Sequence, residues 1–344
     1  MLTEIDKQLF RRAMVDSSDA LRNRNIFITG GTGFIGKWMI GALLTANDSL
    51  DLGCKVALLS RNPRNFKLQN YWIAGHPAVE LIGGDVRSLS SGNCRFDYVI
   101  HGATDVAKHA TARGIRDVCR RGTKTALEFA KAVSAEKFLL ISSGAVYGKQ
   151  PPNVEAIRED ALKVRRPRLT TAYALGKQES ESISLDYGAL NDISIQVARC
   201  FSFIGPWMAT NSHFAAGNFI RDAVNGNEII IRGDGTPIRT YLYGADLACW
   251  LWEIVLKGSS GSIYNVGGSE QVTIHALAEL VRSVVNKGAM ITRKQDFNSH
   301  AVPERYVPDV SLVKSNLSLV ESVSTSESIR RTANWFRGSE KGKY

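Results

Sequence analysis

The sequence lacks the features that mark several classes of protein. Its five cysteines are odd in number and widely spaced, which argues against a disulfide framework and against a zinc site. No stretch reaches about 18 uninterrupted apolar residues, so we expect no membrane span. The N-terminus carries early acidic residues and no apolar core segment, which argues against a signal peptide. We therefore expect a cytoplasmic protein without a bound metal.

The chain also has fewer acidic than basic residues. The chain has 43 Lys and Arg against 33 Asp and Glu, for a formal net charge of +10. The basic residues form no long run and are not interleaved with aromatic side chains, so nucleic-acid binding is not expected. We interpret the charge as a basic surface that helps to collect a phosphorylated substrate. The 344 residues and the hydrophobic content of 44% suit an enzyme with one large α/β domain or two smaller ones.

The stretch NIFITGGTGFIG, residues 25–36, organises the rest of the chain. A short apolar run is followed by a turn with Gly30, Gly33 and Gly36, and then by apolar residues at helical spacing. This order of strand, turn and helix suits a dinucleotide pyrophosphate, which binds the free N–H groups at a helix N-terminus. The spacing differs from the G-x-G-x-x-G of many dehydrogenases, and the alternative is an ordinary tight turn. The predicted cofactor contacts in this turn are Gly30, Thr32, Gly33, Phe34, Ile35 and Gly36.

Strands and helices alternate beyond this turn. Further strands are predicted at 56–59, 79–82, 98–103 and 138–141. The alternation predicts an α/β fold with a Rossmann-type, doubly wound parallel sheet and a smaller C-terminal α/β substrate-binding domain. We divide the chain into an N-terminal extension at 1–24, a dinucleotide-binding domain at 25–200 with a return near 241–266, and a substrate-binding domain at 201–240 and 267–337. The extension is expected to be a short helix on the domain or a dimer contact.

The end of the second predicted strand bears on cofactor choice. An acid there would accept the 2′-hydroxyl of NAD, whereas an arginine accommodates the 2′-phosphate of NADP. The chain has Ser60 and Arg61. We therefore predict NADP, with NAD as the alternative, in which case Arg61 stacks on the adenine or faces solvent. The other predicted contacts are Asp85, Val86 and Ala103, while the strand-end His101 is interpreted as structural.

A tyrosine and a lysine provide the predicted chemistry. Tyr173 and Lys177 are four residues apart, so they share one helix face. A nearby ammonium favours the phenolate and lowers the tyrosine pKa. Such a tyrosine exchanges a proton with a sugar or alcohol oxygen while a hydride moves between carbon and nicotinamide. Lys177 can also bond the nicotinamide ribose, and Ser143, which ends the fifth strand, can hold the same substrate oxygen. The alternative is an exposed helix pair.

The motifs TGGTGFIG, ISSGAVYG and YALGK occur in this order. They resemble the extended short-chain dehydrogenase/reductases, specifically the NAD-dependent epimerase/dehydratase family that acts on nucleotide sugars. The resemblance covers roughly residues 25–335 and continues through RCFSFIGP, GDGTPIRTY, DLA and YNVG. It implies that Ser143, Tyr173 and Lys177 form a catalytic triad. It also implies a nucleotide-diphosphate sugar as substrate and a homodimer that pairs through the helix bearing Tyr173.

The resemblance further implies a set of substrate contacts. Arg239 matches a diphosphate-binding arginine, and Arg305, in RYVPD, looks like a second, because a guanidinium fork suits phosphate oxygens. His213 contacts substrate or faces solvent. The predicted substrate contacts are Ser143, Gly144, Ala145, Ser202, Asn218, Arg239 and Arg305.

Departures from the family pattern reduce the number of reactions that this chain is expected to catalyse. Family 4,6-dehydratases carry an Asp-Glu pair directly after the catalytic hydroxyl residue, and the related decarboxylases carry a glutamate there, but this chain has Gly144 and Ala145. Dehydration and decarboxylation are therefore not favoured. We predict reduction of a nucleotide-linked 4-keto-6-deoxyhexose with Tyr173 as proton donor, in O-antigen or polysaccharide biosynthesis.

The alternative is an epimerase that works through a transient 4-keto intermediate on tightly held NAD, and a 4,6-dehydratase ranks third. A protein that binds NADP without turnover is the non-enzymatic alternative, which the intact triad argues against. Two family asparagines are replaced here, by Cys119 and by Ser202.

Overall fold

The computed structural model describes residues 2–92, 94–104, 111–164, 171–210, 214–297 and 302–340. The predicted substrate contact His213 lies outside these ranges. The helices are α1 (Glu4–Met14), α2 (Phe34–Leu50), α3 (Pro63–Gln69), α4 (Tyr71–Ala74), α5 (Ala112–Ala132), α6 (Ala161–Val164), α7 (Ala172–Leu190), α8 (Ala215–Val224), α9 (Gly244–Lys257), α10 (Ile274–Val285), α11 (Ser311–Leu317) and α12 (Thr325–Glu340).

The strands are as short as the apolar runs in the sequence. They are β1 (Asn25–Thr29), β2 (Lys55–Ser60), β3 (Val79–Gly83), β4 (Tyr98–His101), β5 (Lys137–Ser143), β6 (Ser194–Cys200), β7 (Phe203–Ile204), β8 (Ile229–Ile231), β9 (Ile238–Thr240), β10 (Leu242–Tyr243), β11 (Ser262–Val266), β12 (Gln271–Thr273), β13 (Ile291–Arg293) and β14 (Arg305–Tyr306).

Seven strands form one parallel sheet in the order β3-β2-β1-β4-β5-β6-β11. The strand order reverses between β1 and β4, where ligands of doubly wound sheets bind. The predicted α/β fold of Rossmann type is confirmed. The chain returns to this sheet at β11, which pairs with β6 at the edge.

Both faces of the sheet are covered, because neighbouring residues of a strand point to opposite sides. On one face Ile26 and Ile28 pack in a core with Trp38 of α2 and Trp252 of α9. On the other face Phe27 packs in a second core that includes residues of α5. The short apolar segment around Trp252 is therefore part of the core.

The N-terminal extension lies on the domain. Thr3 and Asp6 form a capping box at the start of α1, and Phe10 and Met14 of the same helix are buried in the core shared with α2 and α9. The carboxylate of Asp6, fully buried, lies 2.9 Å from a guanidinium nitrogen of Arg331 on α12. The first helix is thereby tied to the last, which agrees with one of the two expectations for this segment.

The remaining strands form a smaller α/β lobe above the strand ends. Its sheets have the orders β12-β9-β14, β13-β8 and β10-β7. Helices α8, α10 and α12 enclose a core of their own, with Phe219, Ile229, Leu277 and Ile329 buried in it. A backbone bridge between Ile157 and Pro308 joins this lobe to the loop that follows β5.

The described residues form neither a metal-binding cluster nor a membrane-spanning helix. They contain no group of three or more His, Cys, Asp or Glu side chains placed to hold a metal ion. None of the described helices has both the length and the apolar character needed to cross a membrane.

Candidate active site

The glycine turn packs backbone against backbone. Gly30 has a φ of 75°, and a Cβ added to it would lie 2.6 Å from the carbonyl carbon of Gly102 at the end of β4. A Cβ on Gly36 would lie 2.4 Å from the Cα of Gly31. Helix α2 begins directly after Gly33 with no side-chain cap, which leaves its first N–H groups for a ligand. The geometry suits a pyrophosphate between β1 and α2.

The ends of β2 and β3 lie beside this turn. Ser60 is buried, and its hydroxyl accepts a hydrogen bond of 3.2 Å from the backbone N–H of Asn62, while Arg61 is exposed. Arg87 donates to both carboxylate oxygens of Asp85, at 2.9 and 2.8 Å. These bonds, chiefly the side-chain bonds to Arg87, lower the pKa of Asp85 to about 2. The part of the site predicted to bind the adenosine thus carries Arg61 and Arg87, and its one acid, Asp85, is ion-paired with Arg87.

The end of β4 combines close packing with a buried histidine. The backbone N–H of Ala103 donates to the Thr29 hydroxyl at 3.2 Å. The two ring nitrogens of His101 lie 2.8 Å from the Thr29 hydroxyl and 3.2 Å from the Thr123 hydroxyl. Burial lowers the pKa of His101 to about 3, so the ring is neutral. The interpretation of His101 as structural agrees with these contacts.

The structure brings the three predicted catalytic residues together. Ser143 ends β5, and Tyr173 and Lys177 lie in the first two turns of α7, which Thr171 caps. The Ser143 side chain lies close enough to that of Tyr173 to affect its pKa. The Lys177 ammonium donates to the carbonyl of Ile141 at 2.7 Å and lies 6.0 Å from the centre of the Tyr173 ring.

The expected lowering of the tyrosine pKa is wrong for this structure. Burial raises the pKa of Tyr173 to about 12, against a smaller opposing effect of the nearby Ser143 side chain. The Lys177 ammonium points to the Ile141 carbonyl and burial lowers its own pKa, so it does not stabilise the phenolate here. Tyr173 is accordingly a neutral phenol at neutral pH.

A second tyrosine, Tyr306 on β14, lies near the same serine. Burial raises its pKa well above that of a free tyrosine, and the nearby Ser143 and Arg239 side chains oppose that shift. Its ring centre lies 4.6 Å from that of Phe201. Sequence reasoning missed this residue, although RYVPD, which contains it, was part of the resemblance. The available signal was its position next to Arg305.

Phe201 also occupies the space beside Ser143. A Cβ added to Gly144 would lie 2.7 Å from the Phe201 ring. The backbone N–H of Ala145 donates to the Ser143 hydroxyl at 3.2 Å, as the first turn of a 3₁₀ segment. Position 144 therefore has no room for a side chain while Phe201 keeps this place.

A buried polar network between α7, β5 and β6 lies next to Ser143, Tyr173 and Lys177. Glu181, one turn after Lys177, pairs with Arg199 of β6 at 2.7 Å and accepts a hydrogen bond of 2.5 Å from Ser142. Arg199 also donates to the hydroxyl of Tyr147 at 2.8 Å. The network holds α7 at a set position on β5 and β6, because an unpaired charge at this depth would be strongly unfavourable.

The small lobe places the two predicted arginines differently. In the pairing of β14 with β9, Tyr306 is opposite Arg239 and Arg305 is opposite Ile238. Since side chains alternate along a strand, Arg239 shares a face with Tyr306 and Arg305 lies on the other face. Arg239 pairs with Glu304 at 2.6 Å, and Arg305 donates to Gln271 at 2.7 Å. The structure therefore does not bring the two arginines together.

The other predicted substrate contacts lie along the rim of this lobe. Ser202, between β6 and β7, accepts a backbone bond of 3.1 Å from Leu242. Asn218 lies on α8, and its side chain is 3.5 Å from the guanidinium of Arg221. Both are partly exposed.

Comparison with known proteins agrees with this geometry. The model of a family described as "NAD dependent epimerase/dehydratase family" matches residues 26–267. The chain belongs to this family. The match spans the glycine turn, the triad and the Arg239 strand.

The similar proteins include both decarboxylases and epimerases. UDP-glucuronic acid decarboxylase 3 of Arabidopsis thaliana is 29% identical over 92% of this chain and 90% of its own length. UDP-glucuronic acid decarboxylase 1 of Xenopus tropicalis is 28% identical over 91% and 72%.

Among solved structures, epimerase Mth375 of Methanothermobacter thermautotrophicus has a TM-score of 0.78 at 22% identity, over 96% of this chain and 97% of its own. UDP-glucuronic acid 4-epimerase of Bacillus cereus, in complex with NAD, has a TM-score of 0.78 at 22% identity, over 92% and 99%. At this identity the two structures share the fold with this chain.

Helix α7, which carries Tyr173 and Lys177, packs closely on α5. A Cβ on Gly176, in the YALGK motif, would lie 2.8 Å from the Cβ of Cys119 on α5. The thiol that replaces the family asparagine at 119 is buried, and burial raises its pKa. Cys119 therefore acts as a small apolar spacer between α5 and α7.

Proposed function

We propose that this protein is an NADPH-dependent reductase of a nucleotide-diphosphate 4-keto-6-deoxyhexose. The observation that carries the proposal is a Ser143–Tyr173–Lys177 site with no acidic side chain at positions 144 and 145. Gly144 and Ala145 stand where the related dehydratases and decarboxylases carry acids, and the Phe201 ring fills the space a side chain at 144 would need. Hydride transfer with proton transfer to oxygen requires no further acid or base.

Tyr173, Ser143 and Lys177 have separate roles in the proposed reduction. The nicotinamide, when bound, supplies a hydride to the keto carbon. Tyr173 donates its phenolic proton to the carbonyl oxygen, which becomes the hydroxyl of the product, and a proton from solvent restores the phenol. Its pKa of about 12 keeps the proton in place until transfer. Ser143 donates a hydrogen bond to the same oxygen. The Lys177 ammonium, bonded to the Ile141 carbonyl, fixes α7 and its Tyr173 against β5.

The choice of NADPH rests on the end of β2. Arg61 is exposed there, no acid follows in residues 60–64, and Arg87 already engages Asp85. A guanidinium suits a 2′-phosphate, and a reductase needs an exchangeable cofactor. The family name and the solved structures in complex with NAD support a nicotinamide cofactor in general.

The nucleotide-diphosphate part of the substrate is assigned to Arg239. This side chain is 22% exposed and faces the same side as Tyr306, which lies near Ser143. Arg305 is left out of this assignment because it points to the opposite face. Arg239 thus places a diphosphate on the triad side of the small sheet.

Decarboxylation is not proposed, although several relatives are named as UDP-glucuronic acid decarboxylases. The chain lacks the glutamate that the related decarboxylases carry after the hydroxyl residue. The second candidate is a nucleotide-sugar epimerase on bound NAD. The same triad serves both reactions, and two of the similar structures are named as epimerases.

The test begins with the cofactor retained by purified protein. Protein that carries no cofactor and oxidises NADPH only with a nucleotide-diphosphate 4-keto-6-deoxyhexose supports the proposal. Tightly bound NAD, with interconversion of sugar nucleotides in the absence of NADPH, overturns it in favour of the epimerase. Release of carbon dioxide from UDP-glucuronic acid overturns both.

Tyr173→Phe then tests the chemistry. We expect kcat to fall by at least about 10³-fold, while the Kd for NADPH changes less than about twofold, because the substitution removes a proton donor and leaves the ring. Equal activity of the variant would contradict the assignment of Tyr173 as the acid.

A further inference from the structure

A cavity of about 450 Å³ opens where the domain of the large sheet meets the small lobe. Its walls come from α2, the segment after β7, α8 and α12, and none of the triad residues lines it. Small-molecule sites have volumes of about 300 to 1,000 Å³, apolar or aromatic walls and a few polar groups. The lining residues with such properties are Lys37, Trp207, Arg221, Asn225, Trp335 and Phe336.

Lys37 lines this cavity without an anion of its own. It lies in the first turn of α2, where its backbone N–H donates to the carbonyl of Gly33 at 3.0 Å. Its side chain is partly buried, and its ammonium has no hydrogen bond or ion pair within the described part of the chain. The described lining residues include no Asp or Glu. An ammonium withdrawn from water without a partner is unfavourable, so an anion in the cavity would gain by pairing with it.

Trp207 forms an aromatic wall of the cavity in a costly backbone conformation. Its φ is 67°, which for a large side chain is a genuine outlier. Its ring centre lies 5.3 Å from that of Trp72 on α4, with an interplanar angle of 16°, and 6.3 Å from that of Trp335 on α12. These contacts hold the indole at the junction of the two lobes. Backbone strain of this kind concentrates at ligand sites.

Helix α8 adds polar groups on the other side. Arg221 and Asn225 are four residues apart, so they share one face of the helix. The Arg221 guanidinium is held by the Asp222 carboxylate and by the carbonyl of Thr210. Asn225 is exposed, and its amide both donates and accepts hydrogen bonds. Such an amide suits the polar edge of a planar heteroaromatic ring.

We propose that this cavity is a second nucleotide site, which takes a nucleoside phosphate with its base against Trp207, Trp335 and Phe336 and its phosphate on Lys37. A nucleotide joins a planar ring and an anion in one molecule, as the aromatic walls and the unpaired ammonium require. Stacking on aromatic side chains tolerates any base, because every base has a π-face. The site is separate from the glycine turn and from Arg239, and the inference does not depend on the proposed reduction.

Calorimetric titration with UMP tests the site on the full chain. NADPH is present in excess to fill the cofactor site, and every protein carries Arg239→Ala to weaken UMP binding at the proposed substrate site. We expect one UMP per chain, with uridine and inorganic phosphate each binding at least tenfold more weakly. Lys37→Met should raise the Kd for UMP at least tenfold, because it removes the charge and keeps the stem. Trp335→Leu should raise it about tenfold by removing a stacking surface.

Lys67→Met is the matched control, at an exposed lysine of α3. We expect its Kd for UMP to stay within twofold, and the Kd for NADPH to stay within twofold in all variants, which shows that α2 and the glycine turn remain folded. An unchanged Kd for UMP in Lys37→Met, or no binding of UMP at millimolar concentration, overturns the site. Equal losses in Lys37→Met and Lys67→Met also overturn it, because they would reduce the effect to net charge. The titration involves no turnover, so its outcome is independent of which reaction the triad catalyses.

Discussion

The cofactor side and the substrate side of the candidate site are built by different means. At the glycine turn, Gly30 and Gly36 let one backbone segment touch another, with no room for a Cβ. In the small lobe, Arg239 and Arg305 lie on adjacent strands and their side chains point to opposite faces. The first region depends on backbone shape, and the second depends on the direction of side chains.

This difference explains which residues the sequence could assign. A backbone that must come close to another backbone requires glycine, so the requirement is visible in the sequence itself. The direction of an arginine depends on strand register, and a shift of one residue reverses it. Motif matching alone therefore places the glycines and leaves the arginines open.

The largest effect is expected from a substitution in the glycine turn, on the cofactor side of the candidate site. Gly30→Ala puts a Cβ 2.6 Å from the Gly102 backbone at a φ of 75°. We expect a loss of about 4 kcal/mol in the free energy of unfolding, from strain at positive φ together with the clash, and loss of cofactor binding. Urea unfolding and NADPH titration measure the two effects.

Gly226→Ala is the matched control for this substitution. Its φ is 73° and nothing lies within 4 Å of an added Cβ, so only the strain of about 1 kcal/mol remains. Equal losses in the two variants would mean that close approach is unimportant at Gly30.

The next prediction concerns the connection between the two regions. Asp246 in the first turn of α9 accepts hydrogen bonds of 3.1 and 3.0 Å from the backbone of Ser322 and Val323, just before α12. Burial raises its pKa from 3.8 to about 6, so the folded protein holds this proton more tightly than the unfolded chain. Stability from this group is therefore present below pH 4 and is lost as the pH rises to about 6.

Asp246→Asn removes this dependence. Between pH 4 and pH 7 the free energy of unfolding of the wild type should fall relative to the variant by about 2 kcal/mol, as followed by urea unfolding at each pH. A difference that stays constant with pH would show that the carboxyl titrates alike in the folded and unfolded chains.

The substrate side is tested by a pair of arginines. We expect Arg239→Ala to raise KM for the sugar nucleotide about 30-fold, or about 2 kcal/mol, because a charge-assisted bond to the diphosphate is lost. Arg305→Ala, on the opposite face, should change KM less than about twofold. Similar increases from both would mean that the two guanidinium groups share the diphosphate after all, and steady-state kinetics decide the matter.

The smallest expected effect concerns the affinity for the cofactor. Arg61→Ala should raise the Kd for NADPH about tenfold, or about 1.4 kcal/mol, and leave that for NADH within twofold, because only the 2′-phosphate is affected. Fluorescence titration measures both constants. Arg64→Ala, at an exposed arginine of α3, is the control and should alter neither. A loss of NADH affinity equal to that of NADPH would assign Arg61 to the adenine ring.

Most of the main sheet follows from the pattern of apolar runs. The strand predicted at 79–82 is β3 at Val79–Gly83, and the strand predicted at 56–59 lies within β2 at Lys55–Ser60. These segments carry their own periodicity and end at polar or glycine residues. By contrast, β14 is only Arg305–Tyr306, too short for any period, and it forms because β9 offers it an edge.

The candidate catalytic residues could be proposed from the sequence, but their protonation states could not be predicted from it. Local spacing places Tyr173 and Lys177 on one helix face. It does not reveal that the Ile141 carbonyl takes the ammonium, or that burial raises the phenol pKa. The proximity of Tyr306 to Ser143 involves residues far apart in the chain and depends on how the small lobe closes on the sheet.

The Phe201 ring beside Gly144 constrains how this enzyme can diverge. An acid at position 144 collides with the ring, and a smaller residue at 201 alone leaves a hole beside Tyr306. Each change is harmful without the other. We therefore expect an acid at position 144 to be tolerated only together with a smaller residue at position 201, a combination that a library varying one position at a time does not sample.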